Sequence, residues 1–490
     1  MSFNSIHADV CVIGAGPAGS VFATRLARLG HQVVIVEKRP FPRPHVGESL
    51  TPLVWDLLDL IDARDLVART GIRKNPIVRV KWGSAEVREV HHSPNRAPFA
   101  VNRSRFDAAL LEHARSSGVT VVQPAMVRRP KRRERSWEIE LVGCHNPSHI
   151  FARFLADASG RQRVLGGTVC RSPQRLIAIE GRWRFGRSDG KTRVESGDHA
   201  WYWGAHMPDG AFSAMVFVDL TQYAGKYLAR SRLESLYAAL LDKSQLLGGL
   251  QGQTQMPGVI AHDASTYSDP NPIDALSIKI GEAAFALDPL SSSGVQKALQ
   301  TALVGSVVVN TILAGGSTES AMSFFCDAQR SAVGQHKRWS QMFYRETDVF
   351  GGRDSAGITA EHEDRPKHLA EGAWVRLAKS TQLIKVPCLV GDKVEVRQAL
   401  MHPRLSRPVA YLGGIYLQPF LDQLGNWHSL KDLRYSWRNS AEETQNDVLI
   451  RWLGRIGLLD TREKPWLDLP DTLTCGQPPE PPSIQASRGL

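Results

Sequence analysis

Apolar positions along the first forty residues change period twice. "ADVCVI" is a continuous apolar run that predicts a buried strand, "GAGPAGS" a glycine loop, "VFATRLARLG" a helix that stops at Gly30, and "HQVVIVEK" a second strand. This βαβ unit implies a parallel sheet covered on both faces. "NRSRFDAALLEHARSSG" has apolar positions at Phe106, Leu110 and Leu111 at helical spacing and ends at Gly118. From about 165 to 275 the pattern alternates, as in "RLIAIEGRWRF" and "HAWYWGAHM", which predicts a β-rich layer. The α/β pattern resumes at Gly281 in "GEAAFALDPLSSSGVQKAL".

The expected class is α/β: a discontinuous Rossmann-like domain over 1–165 and 276–350, with further substrate-layer strands inside 72–102. A β-rich substrate domain over 166–275 is inserted into it. "GGRDSAG" and "EHEDRPKH" read as a linker after residue 350. Helical patterns at 368–384 and in "NDVLIRWLGRIGLL" predict a mainly helical C-terminal domain over 361–475. The proline-rich end, 476–490, reads as a disordered tail.

Composition narrows the class only a little. No apolar run approaches the ~20 residues of a membrane-spanning helix, and "MSFNSIHA" leads almost directly into the first strand without an export signal. The expectation is a cytoplasmic protein. Its six cysteines lie apart with no C-x-x-C pair, so neither disulfides nor a metal site is expected. The net charge of +11 suits anionic cofactors or partners. Its densest run, "RRPKRRER" from Arg128 to Arg135, reads as a solvated hairpin tip. Without interleaved aromatics or a reading helix, nucleic-acid binding is not expected.

The first loop carries chemistry. Gly14, Gly16 and Gly19, with Ala15, Pro17 and Ala18 between them, form G-x-G-x-x-G between a strand and a helix. They serve a tight turn, close approach of a pyrophosphate, and close helix–strand packing, with the helix N-terminus facing the anion. Glu37 ends the next strand, about 20 residues on, where a carboxylate accepts hydrogen bonds from a ribose diol. Lys38 and Arg39 follow it, and Val127 lies at the end of a later strand. These residues alone allow NAD or FAD. "ADASGR", with Asp157 and Gly160, is a second small-residue strand end, and Arg103 precedes a helix, where a guanidinium can pair with phosphate.

Together with residues 281–299, these motifs resemble the FAD-dependent monooxygenases of the p-hydroxybenzoate hydroxylase type. Within that superfamily the resemblance is to the branch of tryptophan halogenases and geranylgeranyl reductases, over roughly residues 8–345. It implies that Glu282, standing where the family usually has Asp, binds the flavin ribitol. The loop and helix start at Pro289, Ser293, Gly294 and Val295 would face the isoalloxazine. Gly47, Glu48 and Ser49 of "PHVGESLTP" would lie along the flavin.

Halogenases of this branch carry W-x-W-x-I-P and a lysine that handles the halogenating species. Here "WYWGAHMP" matches at Trp201 and Trp203, but two extra residues precede Pro208; Lys74 and Lys81 lie where the lysine could fall. His206 is the candidate base for a phenol or indole proton, and Trp203 and Glu48 complete the candidate catalytic set. The "GES" segment, the disrupted tryptophan motif and the extra C-terminal domain also resemble flavoproteins that mature tryptophylquinone cofactors, such as that of quinohaemoprotein amine dehydrogenase.

The expected activity is therefore FAD-dependent hydroxylation of an aromatic group, including a tryptophan within a peptide or protein. Electrons would come from NAD(P)H or a partner reductase, and oxygen from O2. A halogenase, a prenyl-chain reductase and a non-catalytic flavin-binding chaperone are the alternatives.

Overall fold

The computed structural model describes residues 5–462 apart from 85, 145, 185–188, 224–229, 348, 350–368, 371 and 438–442. The tail over 476–490 and most of the linker lie outside the described residues. Two compact units divide the chain: Met1–Ile358 with Pro387–Val396, and Thr359–Val386 with Arg397–Leu490.

The first unit is built on two sheets. One runs in the order Thr120–Val122, Val33–Val36, Ser5–Ile13, His149–Asp157, Trp137–Val142, Met126–Arg132. Its central strands are parallel, and Val33–Val36 is buried throughout. Helices Pro17–Arg28, Arg103–Ser116 and Gly294–Leu313 contribute Phe22, Phe106 and Leu299 to the core on one face. Trp137, Ile139 and Ile150 belong to a second core cluster with Cys11 and Val34. Ser277–Lys279 adds in parallel beside Leu155–Asp157. This α/β layer is thus interrupted in sequence and closed in space.

The basic run forms part of the Met126–Arg132 and Trp137–Val142 hairpin, where Arg128, Arg132 and Arg133 pair with Glu140, Asp274 and Glu138.

The inserted sheet runs Thr254–Gln255, Leu176–Arg184, Ala211–Asp219, Ala200–His206, Lys191–Gly197, Ile77–Lys81, Arg88–His91, with Ile260–Asp263 also on Leu176–Arg184. The strict period of two splits its side chains. Tyr202, Phe212, Val216 and Tyr237 form a core on one face; Trp201, Trp203, Met215 and Phe217 belong to another cluster on the opposite face.

The second unit departs from the expected helices at 368–384. Trp374–Leu377 is a strand between His428–Ser429 and Leu459–Arg462, and Gln382–Val390, which begins in this unit, is another. Leu369, Ala373 and Leu377 do recur at a helical interval of four. Pairing of Trp374–Leu377 on both edges, with Val375 buried in the core, overrides that local preference. The expected C-terminal helix is present as Glu443–Ile456.

Candidate functional site

The glycine loop is shaped by contacts only glycine permits at two of its three positions. Gly14 has φ +99, and a Cβ there would meet the Ala158 carbonyl oxygen at 2.6 Å; one on Gly19 would lie 2.0 Å from the Gly14 oxygen. Gly16 differs, because a Cβ there would meet nothing closer than an Arg43 guanidinium nitrogen at 3.8 Å. Its surroundings are open, and it caps helix Pro17–Arg28 without any side-chain hydrogen bond to the first turn. The positive end of that helix therefore faces free space.

That space is a cavity of about 680 Å³, within the range of roughly 300–1,000 Å³ usual for cofactor sites. Gly14, Gly16, Pro17, Ala18, Glu37, Lys38, Arg39, Arg43 and Val127 line it. Gly47, Glu48, Ser49, Arg103, Gly160, Glu282, Pro289, Gly294 and Val295 also line it, as do the aromatic face residues Trp201, Trp203, Met215 and Phe217. A second long helix, Gly294–Leu313, opens on the cavity with no side-chain cap at Ser293. Two uncapped helix N-termini and several cations on one large cavity fit a dinucleotide carrying a pyrophosphate at its middle.

Several expected site residues act differently from the sequence reading. The Glu37 carboxylate accepts from the Ala15 N–H at 2.8 Å and the Arg39 N–H at 2.9 Å, so it holds the glycine loop as well as facing the cavity. Arg103 forks onto Asp107 at 2.8 and 3.1 Å and donates to the Val46 carbonyl at 2.6 Å. It anchors the 46–49 segment against the cavity wall. Asp157 is not in the lining; its carboxylate accepts from Ser159 N–H at 3.0 Å and Leu165 N–H at 2.8 Å and so shapes the loop that does line it. Ala15, Gly19 and Ser293 likewise stand behind the wall. Glu282 is half-exposed, 3.5 Å from the Arg161 guanidinium.

His206 does not fill the role of base expected from its position beside the tryptophans. Trp201, Trp203 and Ala205 face the cavity side of their strand, so the pleat turns His206 to the other face. There it lies fully buried, edge-on to Phe212 and 3.3 Å from Asp189. Burial holds its pKa below the usual histidine value. Neither candidate lysine lines the cavity: Lys74 is exposed, and Lys81 sits 3.7 Å from Glu195. Among the described lining residues Lys38 is the lysine, and it follows directly on Glu37.

Beside the aromatic face is a charged cluster that the motifs did not reveal. Strand Leu176–Arg184 places Glu180 and Arg182 two residues apart on one face, continuing the line of Leu176 and Ala178. Arg182 is shared by Glu48, by Glu180 at 3.3 Å and by Asp209 at 3.4 Å. Ser213 donates to Glu180 at 3.2 Å, and His262 stands 3.5 Å from its other oxygen.

The two buried carboxyls are driven apart. Burial pushes Glu48 up to about 7, with the Arg182 charge offsetting only part of it, and Glu48 Oε2 is buried without a hydrogen-bond partner. Burial also acts upward on Glu180, but the nearby His262 ring, the Arg182 charge and the hydrogen bond from Ser213 outweigh it and hold Glu180 below the usual range. His45, in the lining near Arg103, is kept down to about 4 by burial and that positive charge. Around the late loop, Asp288 caps the turn through the Leu290 N–H at 3.0 Å and accepts from the Tyr344 hydroxyl at 2.9 Å.

This is the architecture of an FAD-binding flavoprotein, and the comparisons place it in a family. The FAD binding domain family matches residues 7–164. Tryptophan 2-halogenase of Chondromyces crocatus is 30% identical over 380 residues, 72% of this chain and 71% of that protein. Flavin-dependent halogenase armH1 of Armillaria mellea is 30% identical over 373 residues, 67% of this chain and 69% of that protein. The chain belongs to the flavin-dependent halogenase family of FAD-binding oxidoreductases.

Among solved structures, the peptidyl tryptophan dihydroxylase QhpG, described as essential for tryptophylquinone cofactor biogenesis, superposes with a TM-score of 0.70 at 25% identity, over 92% of this chain and 100% of that one. The flavin-dependent halogenase CmlS shares the fold, with a TM-score of 0.73 at 21% identity over 93% and 96% of the two chains. No helix among the described residues is long and apolar enough to cross a membrane.

Proposed function

We propose that the protein is an FAD-dependent monooxygenase that hydroxylates an aromatic group, with a tryptophan side chain in a peptide or protein as its preferred substrate. One observation carries this reading: a single cavity joins the glycine loop to a wall of Trp201, Trp203, Met215 and Phe217 on which no lysine stands among the described residues. Bound and reduced FAD would supply the activation of O2, with NAD(P)H or a partner reductase as electron donor.

The chain's own residues do the rest. Gly14–Ala18, Arg43 and the start of helix Pro17–Arg28 would hold the pyrophosphate and Glu37 the adenosine ribose. Glu282 would hold the ribitol, and 289–295 with 47–49 would flank the isoalloxazine. Trp203 and the stacked Trp201–Phe217 pair, 3.6 Å between ring centroids, give the substrate ring an apolar face. Glu48 Oε2 would hold a proton in the cavity, making it the general acid.

The charge of this wall favours a chain-borne aromatic over a free amino acid. A free carboxylate would meet Arg182 already shared among Glu48, Glu180 and Asp209. The named peptidyl dihydroxylase supports the same substrate class. Halogenation is the second reading, favoured by the activity named for the curated relatives and by the Trp201–Trp203 pair.

The deciding experiment supplies reduced FAD, O2 and a tryptophan-containing peptide to the protein, with and without chloride or bromide, and reads the product by mass. Gain of oxygen independent of halide is expected. Gain of chlorine or bromine, or product formed without O2, would overturn the proposal. Salt-sensitive retention of an acidic peptide substrate would follow from the +11 net charge. Deleting everything after residue 360 is not a clean test of substrate docking. It removes 387–396, whose Asp392 pairs with Arg25 and whose Val394 N–H donates to Thr311 at 2.8 Å in the first unit.

The ribitol assignment has its own test. Replacing Glu282 with Ala should weaken FAD binding by about 1.5 kcal/mol, the low end for a charge-assisted hydrogen bond at a half-exposed site, or roughly tenfold in Kd. An unchanged Kd in a flavin titration would put Glu282 off the cofactor.

A further inference from the structure

We propose that His262, oriented by Glu180, is the base that takes the proton from the aromatic substrate's ring O–H or N–H. The inference rests on the aromatic-substrate reading above and gives a residue to the one role in it that His206 leaves vacant.

The register of the inserted sheet brings this pair together. Ile260–Asp263 runs antiparallel to Leu176–Arg184, with His262 opposite Ala178 and Ile260 opposite Glu180. Directly opposed residues share a face, so His262 stands on the cavity side with Ala178, and Glu180 is its diagonal neighbour. Ala178 and His262 both line the cavity. The small Ala178 side chain leaves room beside the imidazole, next to Met215 and Phe217 on the same wall.

Glu180 is built for holding a histidine. It is buried; one oxygen accepts from Ser213 at 3.2 Å, and the other faces His262 Nε2 at 3.5 Å. That separation is longer than a formed hydrogen bond, as catalytic contacts often are before substrate binds. With the Nε2 proton directed at Glu180, Nδ1 is the acceptor. The proton leaves the substrate O–H or N–H for Nδ1, the bonding pair stays on the aromatic system, and the imidazolium is offset by the Glu180 carboxylate. The ring is thereby made electron-rich while its charge partner is already in place.

The other charged groups leave this arrangement consistent. Arg182 and Glu180 approach from the neighbouring strand, Glu48 from the 47–49 segment, and Asp209 closes the far side of Arg182. On His262's own strand Asp263 is 3.5 Å from Arg161, which also faces Glu282. Each cation among these is matched by at least one carboxylate, so none of them stands free to repel an imidazolium.

The test reads ionisation without turnover. 4-Nitrophenol is titrated into the FAD-loaded protein, and its phenolate absorbance is followed against pH. The wild type should bind the probe and raise its ionised fraction over that in water at the same pH. His262→Ala should raise the pKa of the bound probe by about one unit, a tenfold drop in its ratio of ionised to neutral form, with FAD content unchanged. Glu180→Gln should give a smaller loss, and added imidazole should restore part of the phenolate signal in His262→Ala. Imidazole rescue separates a proton acceptor from a merely structural side chain. Probe ionisation unaffected by His262→Ala, or a protein that does not bind the probe, overturns the inference. Failure of the flavin reading would register separately, as a protein without bound FAD.

Discussion

Gly16→Val should yield a folded protein without flavin. The backbone at Gly16 has φ −66 and ψ −179, which valine adopts freely, and the nearest neighbour of its Cβ would be a flexible arginine end at 3.8 Å. The fold has no reason to object. The valine methyls, however, would occupy the mouth of helix Pro17–Arg28, where the pyrophosphate has to reach the first-turn N–H groups. Losing two charge-assisted hydrogen bonds at about 1.5 kcal/mol each costs about 3 kcal/mol, more than ~100-fold in affinity, and colourless protein is the expected result on purification. Gly19→Val makes the contrast, because its Cβ would sit 2.0 Å from the Gly14 carbonyl oxygen. That variant should lose FAD through loss of structure, with a lowered Tm. A Gly16→Val protein that keeps its yellow colour and its wild-type Tm would remove the pyrophosphate from this loop.

The difference between these two glycines explains much of what the sequence could disclose. G-x-G-x-x-G with a strand before it, a helix after it and Glu37 in register is a local arrangement, with every part within one βαβ unit. Local spacing therefore suffices to read it. The late loop at 281–295 is also local, and a strand–turn–helix pattern of small residues marks it out. That it faces the same ligand as the glycine loop is marked by nothing in the more than two hundred residues between Gly19 and Gly281. Only the resemblance to a known family ties the two loops to one ligand.

The aromatic wall of the cavity shows where such reading stops. Trp201, Trp203 and His206 lie within six residues, and proximity in sequence invites treating them as one group. Strand pleating instead separates an even position from two odd ones, and His206 goes to the core beside Phe212 while the tryptophans face the cavity. Conversely, Glu48, Glu180, Arg182, Asp209 and His262 are strung over more than two hundred residues and meet through strand register. No short motif can encode a contact made by pairing Ile260 with Glu180. The period-two signal at "RLIAIEGRWRF" did contain a usable hint. Glu180 and Arg182 interrupt the buried face of an otherwise apolar strand, and a buried charge on a core face demands a partner. The misread helix at 368–384 has the same origin, since Trp374–Leu377 owes its extended form to two partners distant in sequence.

Glu48→Gln should lower the rate of aromatic hydroxylation by about 10²–10⁴-fold, the usual worth of a positioned general acid. Burial raises this carboxyl to about 7 despite its contact with Arg182, so near neutral pH it holds a proton in a substantial share of molecules. Its Oε2 is enclosed and has no hydrogen-bond partner, whereas Glu180, on the other side of Arg182, is kept ionised. Carboxyls whose environments separate their pKa values in this way divide into acid and charge partner. If the protonated form is the working one, wild-type turnover of a tryptophan peptide must fall as pH rises through about 7, and this alkaline limb must vanish in Glu48→Gln. Stability follows with the same sign. A carboxyl whose folded pKa is raised from 4.5 to about 7 contributes fully below the lower value, and that contribution is lost as pH rises through the upper one. The Tm of the wild type should therefore decline between those values relative to Glu48→Gln. Glutamine keeps the size and planarity of the side chain and cannot release a proton, so FAD content should stay constant while the rate falls. A rate that rises through pH 7, or a glutamine variant with wild-type turnover, would assign the proton to another group in the cavity.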